Sequence, residues 1–293
     1  MRYKIQHITK YSYQQRVSHC YNLAYMSPRN TPRQRCLSST ITLNPTSSSS
    51  SRRTDYFGNE SFHFEIQRAH KQLTINIVSA VETNPQFTVQ DLDFGISCKD
   101  AKDQIESSSN KEVLLAREFL LDSPMIKNTE FLKDYAAPSF SDNTPLLSSV
   151  RNLTSRIFSD FKYCPEATTI ATPLTEVFET KKGVCQDFAH LLIACLRVMG
   201  FPAKYVSGYI ETIPPPGVER LVGADATHAW ISVFSPAEGW VEFDPTNDTI
   251  ATEQHIITAW GRDYFDVTPL KGVVFGGGED PHLSVSVDVK RIE

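Results

Sequence analysis

The sequence of 293 residues lacks the features of several common protein classes. No apolar run approaches the roughly 20 residues that a membrane helix needs. The first residues, from Met1 to His7, lack the hydrophobic segment of a signal peptide. We therefore expect a cytoplasmic protein with no membrane partner. A formal net charge of −5 gives no electrostatic reason to bind nucleic acid.

Metal-binding and disulfide patterns are also missing. The six cysteines are widely scattered, with no Cys-x-x-Cys or His-Glu-x-x-His motif, so we predict no metal site and no cofactor. Scattered cysteines in a long chain are not typical of a disulfide framework. Free thiols fit a reducing compartment.

Strand patterns dominate the first 95 residues. Apolar and polar residues alternate over 62–66 and 73–81, as they do in half-buried strands. The serine-rich run 46–51 indicates an exposed loop. The chain length favours two domains, and we predict an antiparallel β-sandwich over 1–95 followed by a catalytic domain over 96–293.

A predicted helix in the second domain begins at a cysteine. Phe188, Leu192 and Cys195 recur at helical spacing, so Cys185 stands in the first turn, directly after a break. The free backbone N–H groups and the positive end of the helix dipole favour a thiolate there. We prefer this interpretation to the alternative, a small packing residue.

A β-hairpin is predicted further along the chain. Alternating residues flank a five-residue turn at 235–239. In a symmetric register Trp230 faces Asp244, and His228 is the diagonal neighbour of Asp244 on the same face. A helix-start cysteine, a hairpin histidine and an aspartate across the turn favour a triad of Cys185, His228 and Asp244 over a structural histidine.

Three motifs make the sequence resemble a known family. They are Gly-Val-Cys-Gln-Asp-Phe-Ala at 183–189, Thr-His-Ala-Trp at 227–230 and Phe-Asp-Pro-Thr at 243–246. These resemble the core motifs of the transglutaminase-like superfamily, a papain-like group of Cys-His-Asp enzymes, in its bacterial two-part form. The resemblance implies an α+β fold in which the helix-start cysteine packs on an antiparallel sheet. It gives the three triad residues the roles of nucleophile, base and orienting acid, in chain order.

Further side chains are candidates for the oxyanion hole or the substrate cleft. The Tyr163 hydroxyl could donate to an oxyanion, although a core tyrosine fits the pattern equally well. Gln186 and Trp230 are also candidates, as is the backbone N–H of Cys185. The upstream tryptophan that eukaryotic transglutaminases use has no counterpart, since all three tryptophans follow the cysteine. The proline-rich loop at 214–217 is a candidate specificity element.

The predicted chemistry is nucleophilic acyl transfer on a peptide or protein amide. The thiolate attacks the carbonyl and forms a thioester acyl-enzyme, which water then resolves in a protease or amidase. Two alternatives stay open. An amine could resolve the intermediate, as in transglutaminase crosslinking, or the chain could be an inactive binding module.

Overall fold

The computed structural model describes residues 1–85, 89–212 and 227–292. The proline-rich segment at 214–217 lies outside these residues. The described strands are β1 (Arg2–Ala24), β2 (Gln34–Asn44), β3 (Ser49–Thr54), β4 (Glu60–Ile66), β5 (His70–Thr83), β6 (Lys162–Tyr163), β7 (Lys182–Gly183), β8 (Ala203–Ile210), β9 (Thr227–Ser235), β10 (Gly239–Asp244), β11 (Thr249–Ile250), β12 (His255–Gly261), β13 (Leu270–Gly276) and β14 (His282–Arg291).

Along the chain, all of the described helices lie between β5 and β8. The α-helices are α1 (Cys98–Ser107), α2 (Lys111–Ala116), α3 (Glu130–Ala136), α4 (Leu146–Asp160), α5 (Leu174–Thr180) and α6 (Cys185–Val198). Short 3₁₀ helices are Val89–Phe94, Arg117–Leu120 and Ala137–Ser139. In the described ranges, no helix combines the length and the apolar character needed to cross a membrane.

The first sheet is built around the long strand β1. Its first half pairs with β5 and β14, and its second half pairs with β4 and β13. The pairing with β5 shifts register between Ser12 and Val17, as it does where a bulge bends a strand. One buried cluster joins the strands beside the two halves of β1, since it contains Ile75 of β5 and Phe64 of β4. The predicted antiparallel N-terminal β-architecture is confirmed.

Two strands from the end of the chain complete this first sheet. Strand β14 runs antiparallel to β1, from Tyr3 opposite Arg291 to Ser12 opposite His282. The predicted division assigned all of 96–293 to the catalytic domain, and the structure differs there because β13 and β14 lie in the first sheet. The alternation of residues 283–289 indicates a strand, but it does not specify which strand lies beside it.

The serine-rich run is only partly a loop. Residues 49–51 begin β3, which pairs with β4, so the loop prediction is wrong there. All residues of β3 are exposed, as predicted. Strand β3 lies at the edge of the sheet and is held there by backbone hydrogen bonds to β4. A pattern of side chains cannot predict pairing that depends on the backbone alone.

The second sheet has the antiparallel order β11-β10-β9-β8-β12. Helix α6 packs on it through a buried face that includes Phe188 and Leu192, against Ala229 and Ile231 of β9. The opposite face of this sheet turns toward the first domain. The helix-start cysteine therefore packs on an antiparallel sheet, and the predicted papain-like arrangement is confirmed.

Candidate active site

The turn before α6 places Cys185 at the helix start. The Asp187 carboxylate accepts hydrogen bonds from the Val184 N–H at 2.8 Å and from the Thr168 hydroxyl at 2.6 Å. A Cβ at Gly183 would lie 2.9 Å from Asp187 Oδ2, so a glycine there leaves room for this cap. Cys185 is half-buried at the first residue of the helix, and its thiol is free.

The β9–β10 hairpin brings the other two predicted triad residues together. Phe243 pairs with Ile231, and this register, continued by one residue, places Asp244 opposite Trp230 as predicted. His228 lies diagonally across, and its Nε2 is 2.7 Å from Asp244 Oδ2. The hairpin register thus delivers a hydrogen-bonded His-Asp pair.

Asp244 is fully buried and accepts hydrogen bonds on both oxygens. Its Oδ1 accepts from the backbone N–H of Thr246 at 2.9 Å and of Asn247 at 3.3 Å. Its Oδ2 faces His228 Nε2, His255 Nε2 at 3.1 Å and the Asn247 side-chain amide at 2.6 Å. The carboxylate therefore closes the turn after β10 and also orients the histidine.

The electrostatics of the pair favour a protonated His228. Burial lowers the pKa of His228, but the Asp244 carboxylate and hydrogen bonds to Asp244 and Cys185 outweigh it and raise that pKa to about 10. Burial likewise raises the pKa of Asp244, and His228 and His255 together bring that pKa well below its ordinary range. Since Nε2 faces Asp244, Nδ1 is the ring nitrogen left for the thiol. His228 is therefore hydrogen-bonded to Asp244 and interacts electrostatically with Cys185.

The sequence analysis did not single out His255. Its Nδ1 accepts the Thr252 N–H at 3.1 Å, so its Nε2 carries the proton and donates to Asp244. Burial lowers the pKa of His255 and keeps the ring neutral. A Cβ at Gly208 would lie 2.6 Å from Trp230 Cη2. This glycine of β8 lets the rings from the flanking strands meet above it.

Three of these residues also have the chemistry of metal ligands. The ligand atoms of His228, Asp244 and His255 lie within 4.8 Å of one another. The His255 nitrogen that faces Asp244 carries a proton, however, and both rings lie at hydrogen-bonding distance from the same carboxylate oxygen. The geometry is that of a hydrogen-bonded network around one carboxylate.

The candidate oxyanion and cleft residues lie at different depths. Tyr163 is half exposed and pairs with Gly183 in the short parallel ladder of β6 and β7. Burial and then the nearby Cys185 raise the pKa of Tyr163, which places its hydroxyl in the electrostatic range of the sulfur. Gln186 is half-buried in the first turn of α6. The electrostatic interaction with Cys185 therefore supports Tyr163, and Gln186 follows the nucleophile directly in the chain.

Trp230 occupies a different position from the predicted one. Its ring is fully buried and lies 5.9 Å from the His228 ring, nearly parallel to it. Its indole N–H donates to Glu242 Oε2 at 2.7 Å. The structure therefore places Trp230 against the back of the histidine, where it supports the ring, and not in an open cleft.

This fold and this arrangement of cysteine, histidine and aspartate define the papain-like class. Residues 3–82 match the model of the bacterial transglutaminase-like N-terminal region, and residues 133–245 match that of the transglutaminase-like superfamily. The chain belongs to the transglutaminase-like superfamily, whose members are typically cysteine-dependent enzymes.

Two similar proteins match the whole chain, and a third matches part of it. An uncharacterized protein of Mycobacterium tuberculosis is 40% identical over 299 residues, which cover 100% of this chain and 93% of that protein. The solved structure of a proposed cysteine protease from Cytophaga hutchinsonii has a TM-score of 0.76 at 19% identity, covering 100% of this chain and 91% of that one. A protein-glutamine gamma-glutamyltransferase of Pseudomonas aeruginosa is 32% identical over 102 residues, 32% of this chain and 15% of that protein.

Proposed function

We propose that this protein catalyses thiol-dependent acyl transfer from a peptide or protein amide. The observation that supports the proposal is the buried hydrogen bond between His228 and Asp244, together with the electrostatic interaction of His228 with Cys185. A nucleophile, a base and a group that orients the base are the parts that this chemistry needs.

In the first half of the reaction, the Cys185 sulfur forms a bond to the amide carbonyl carbon and the C=O π-electrons move onto oxygen. The His228 imidazolium gives its proton to the amide nitrogen as the C–N bond breaks, and an amine leaves. In the second half, His228 takes a proton from water while the hydroxide adds to the thioester carbon. The C–S bond then breaks, releasing the carboxylic acid and the thiolate.

The transient oxyanion requires hydrogen-bond donors close to the sulfur. The backbone N–H of Cys185 at the start of α6 is one such donor, and the Tyr163 hydroxyl and the Gln186 amide are side-chain candidates. Tyr163 is supported by its electrostatic interaction with Cys185. We assign Trp230 no contact with the oxyanion, because its N–H is engaged with Glu242.

We propose water as the acceptor, so that the chain acts as a cysteine protease or amidase in the cytoplasm, where thiols stay reduced. The name of the Cytophaga relative agrees with hydrolysis. Transamidation is the second candidate, because the stretch shared with the Pseudomonas protein-glutamine gamma-glutamyltransferase is 32% identical. The same triad serves both outcomes.

A product analysis separates the two. The protein is incubated with a glutamine-containing peptide library in the presence and absence of a labelled primary amine, and the products are identified by mass spectrometry. We expect free acids or cleaved peptides, a hydroxamate when hydroxylamine is added, and little amine incorporation. Efficient incorporation at modest amine concentration would instead assign transamidation.

The matched controls are two cysteine variants. Cys185→Ala should abolish turnover, whereas Cys195→Ala, at a buried cysteine on the same helix, should retain it. Iodoacetamide at neutral pH should label Cys185 in the wild type and in Cys195→Ala, and this labelling should be lost in Cys185→Ala. A Cys185→Ala protein that keeps its rate on any substrate would show that Cys185 is not the nucleophile.

A further inference from the structure

A cavity of about 620 Å³ lies between the second sheet and the first domain. Residues 31–33 and 56–57 of the first domain line one part of it, and α2 and the 3₁₀ helix after it line another. Strands β8, β9, β10 and β12, with Glu238 of the β9–β10 turn, supply the rest. The three predicted triad residues do not line this cavity. Its size is that of a small-molecule site.

Lys204 of β8 lines this cavity and is only 5% exposed. Its ammonium lies 4.1 Å from the ring centroid of Trp240 and 3.7 Å from that of Trp260. Within the described part of the chain, the ammonium forms no ion pair or hydrogen bond. Burial lowers the pKa of Lys204 to about 7, although Glu242 raises it. A buried cation without a hydrogen-bond acceptor is costly.

Ser232 is a second unpartnered donor at the same place. It is the direct cross-strand partner of Lys204 in the β8–β9 ladder, and such partners point to the same face of a sheet. Its hydroxyl is buried and has no hydrogen-bond partner among the described residues. An ammonium and a hydroxyl therefore lie side by side on the cavity wall, and the described residues offer neither of them an acceptor.

The nearby carboxylate does not fill this role. Glu242 accepts from Arg33 Nε at 3.0 Å and Nη2 at 2.6 Å, and from the Trp230 indole at 2.7 Å. Because Arg33 occupies both oxygens of Glu242, that carboxylate makes no hydrogen bond to Lys204 among the described residues, and Arg29 adds a further positive potential. A ligand with one negative charge would complement this cluster.

The rest of the cavity wall combines aromatic side chains with three glutamates. The aromatic part includes Phe57, Phe119, Phe234 and Trp240, and the ring centroids of Phe119 and Trp240 lie 5.3 Å apart. Glu118 accepts from the Tyr56 hydroxyl and Glu238 from the Ser235 hydroxyl and the Ile96 N–H, whereas Glu112 is exposed. Such walls bind a flat or aliphatic body and leave a few polar groups to orient it.

We propose that this cavity is a second ligand site, which binds a small monocarboxylate with an apolar body. Its carboxylate accepts hydrogen bonds from Lys204 and Ser232, and its body packs among the aromatic side chains. The proposal is independent of the acyl-transfer chemistry, because it rests on residues outside the triad.

The test compares 3-phenylpropanoate with its uncharged isostere 3-phenylpropanamide. Binding is measured by isothermal titration calorimetry and by tryptophan fluorescence, since Trp240 and Trp260 adjoin the site. We expect the acid to bind at least about tenfold more tightly than the amide, as expected for a charge-assisted hydrogen bond in a buried site. This comparison uses the wild-type protein and needs no variant to fold.

Variants then locate the site. Lys204→Met should weaken binding of the acid at least about tenfold, and Ser232→Ala by a smaller factor of about three to ten. Lys71→Met, at an exposed lysine of β5, and Cys185→Ala should both bind as the wild type does. No binding of the acid at millimolar concentration, equal binding of acid and amide, or unchanged binding by a folded Lys204→Met protein would each overturn the proposal. Loss of binding in Cys185→Ala would also overturn it, because the acid would then bind at the predicted triad and not in this cavity.

Discussion

Strands β8, β9 and β10 of the second sheet carry two adjacent buried polar clusters of opposite character. In the first cluster Asp244 accepts hydrogen bonds on both oxygens, and the neighbouring histidine rings are engaged with it. In the second cluster Lys204 and Ser232 have no hydrogen-bond partner among the described residues. Glu242 lies between them and is itself satisfied.

The difference in hydrogen bonding suits the two clusters to different roles, catalysis at the first and ligand binding at the second. A buried network whose members are all hydrogen-bonded holds its side chains in one arrangement, which a catalytic base requires. Unpartnered buried donors instead mark a place where ligand atoms can complete the network.

The largest effect on turnover is expected in the Asp244 cluster, whose members are hydrogen-bonded to one another. Asp244→Asn places an amide group against the His228 ring, which favours the wrong tautomer and cannot stabilise the imidazolium. We expect turnover to fall about 10⁴-fold, measured as kcat per folded molecule alongside the melting temperature. Asp142→Asn, at an exposed carboxylate, is the control. A lower melting temperature with wild-type turnover would reduce Asp244 to a turn cap.

The next effect is expected at His255, which acts through Asp244 as a positioning residue. His255→Phe removes a donor to Oδ2, and we expect kcat to fall about 10- to 100-fold, as for other outer-shell hydrogen-bond partners, with KM unchanged. His255→Gln, which keeps a donor group, should recover part of the loss. The proton NMR resonance of the His228 Nε2–H should shift in the Phe variant. An unmoved resonance with only a lower melting temperature would indicate a purely structural role.

The raised pKa of His228 predicts a pH dependence of stability. Its pKa rises from the ordinary 6.5 to about 10 on folding, so the folded state holds more protons than the unfolded state between these values. The stabilisation is fully present below about pH 6.5 and is lost as the pH rises through about 10. Urea unfolding at several pH values should show this decline, and a His228→Gln variant should show a flatter curve. Equal slopes in the two proteins would contradict the assignment.

The smallest effect is expected at Trp230, which joins the two clusters. Trp230→Phe keeps a ring behind His228 and removes the hydrogen bond to Glu242, which Arg33 still satisfies. We expect a loss of about 1 kcal/mol in the free energy of unfolding and only a few-fold change in kcat. A loss of kcat as large as that of Asp244→Asn would show that the two clusters function as one unit.

Local patterns in the sequence determined the elements that carry the predicted triad. Helical periodicity and the break before it predicted that Cys185 begins a helix. Alternation around a short turn predicted the hairpin register that sets Asp244 against His228. These features depend on residues close together in the chain, where spacing alone fixes which side chains share a face.

Tertiary structure decided which distant strands and side chains meet. His255 reaches Asp244 because β12 lies beside β8 in the second sheet, 11 residues beyond Asp244 in the chain. Lys204 and Ser232 look like ordinary strand residues until the first domain covers them and leaves a cavity. Strands β13 and β14 likewise pair with β1, from which they are separated by most of the chain. Alternation shows that a strand has one buried face, whereas packing across the whole chain selects its neighbours.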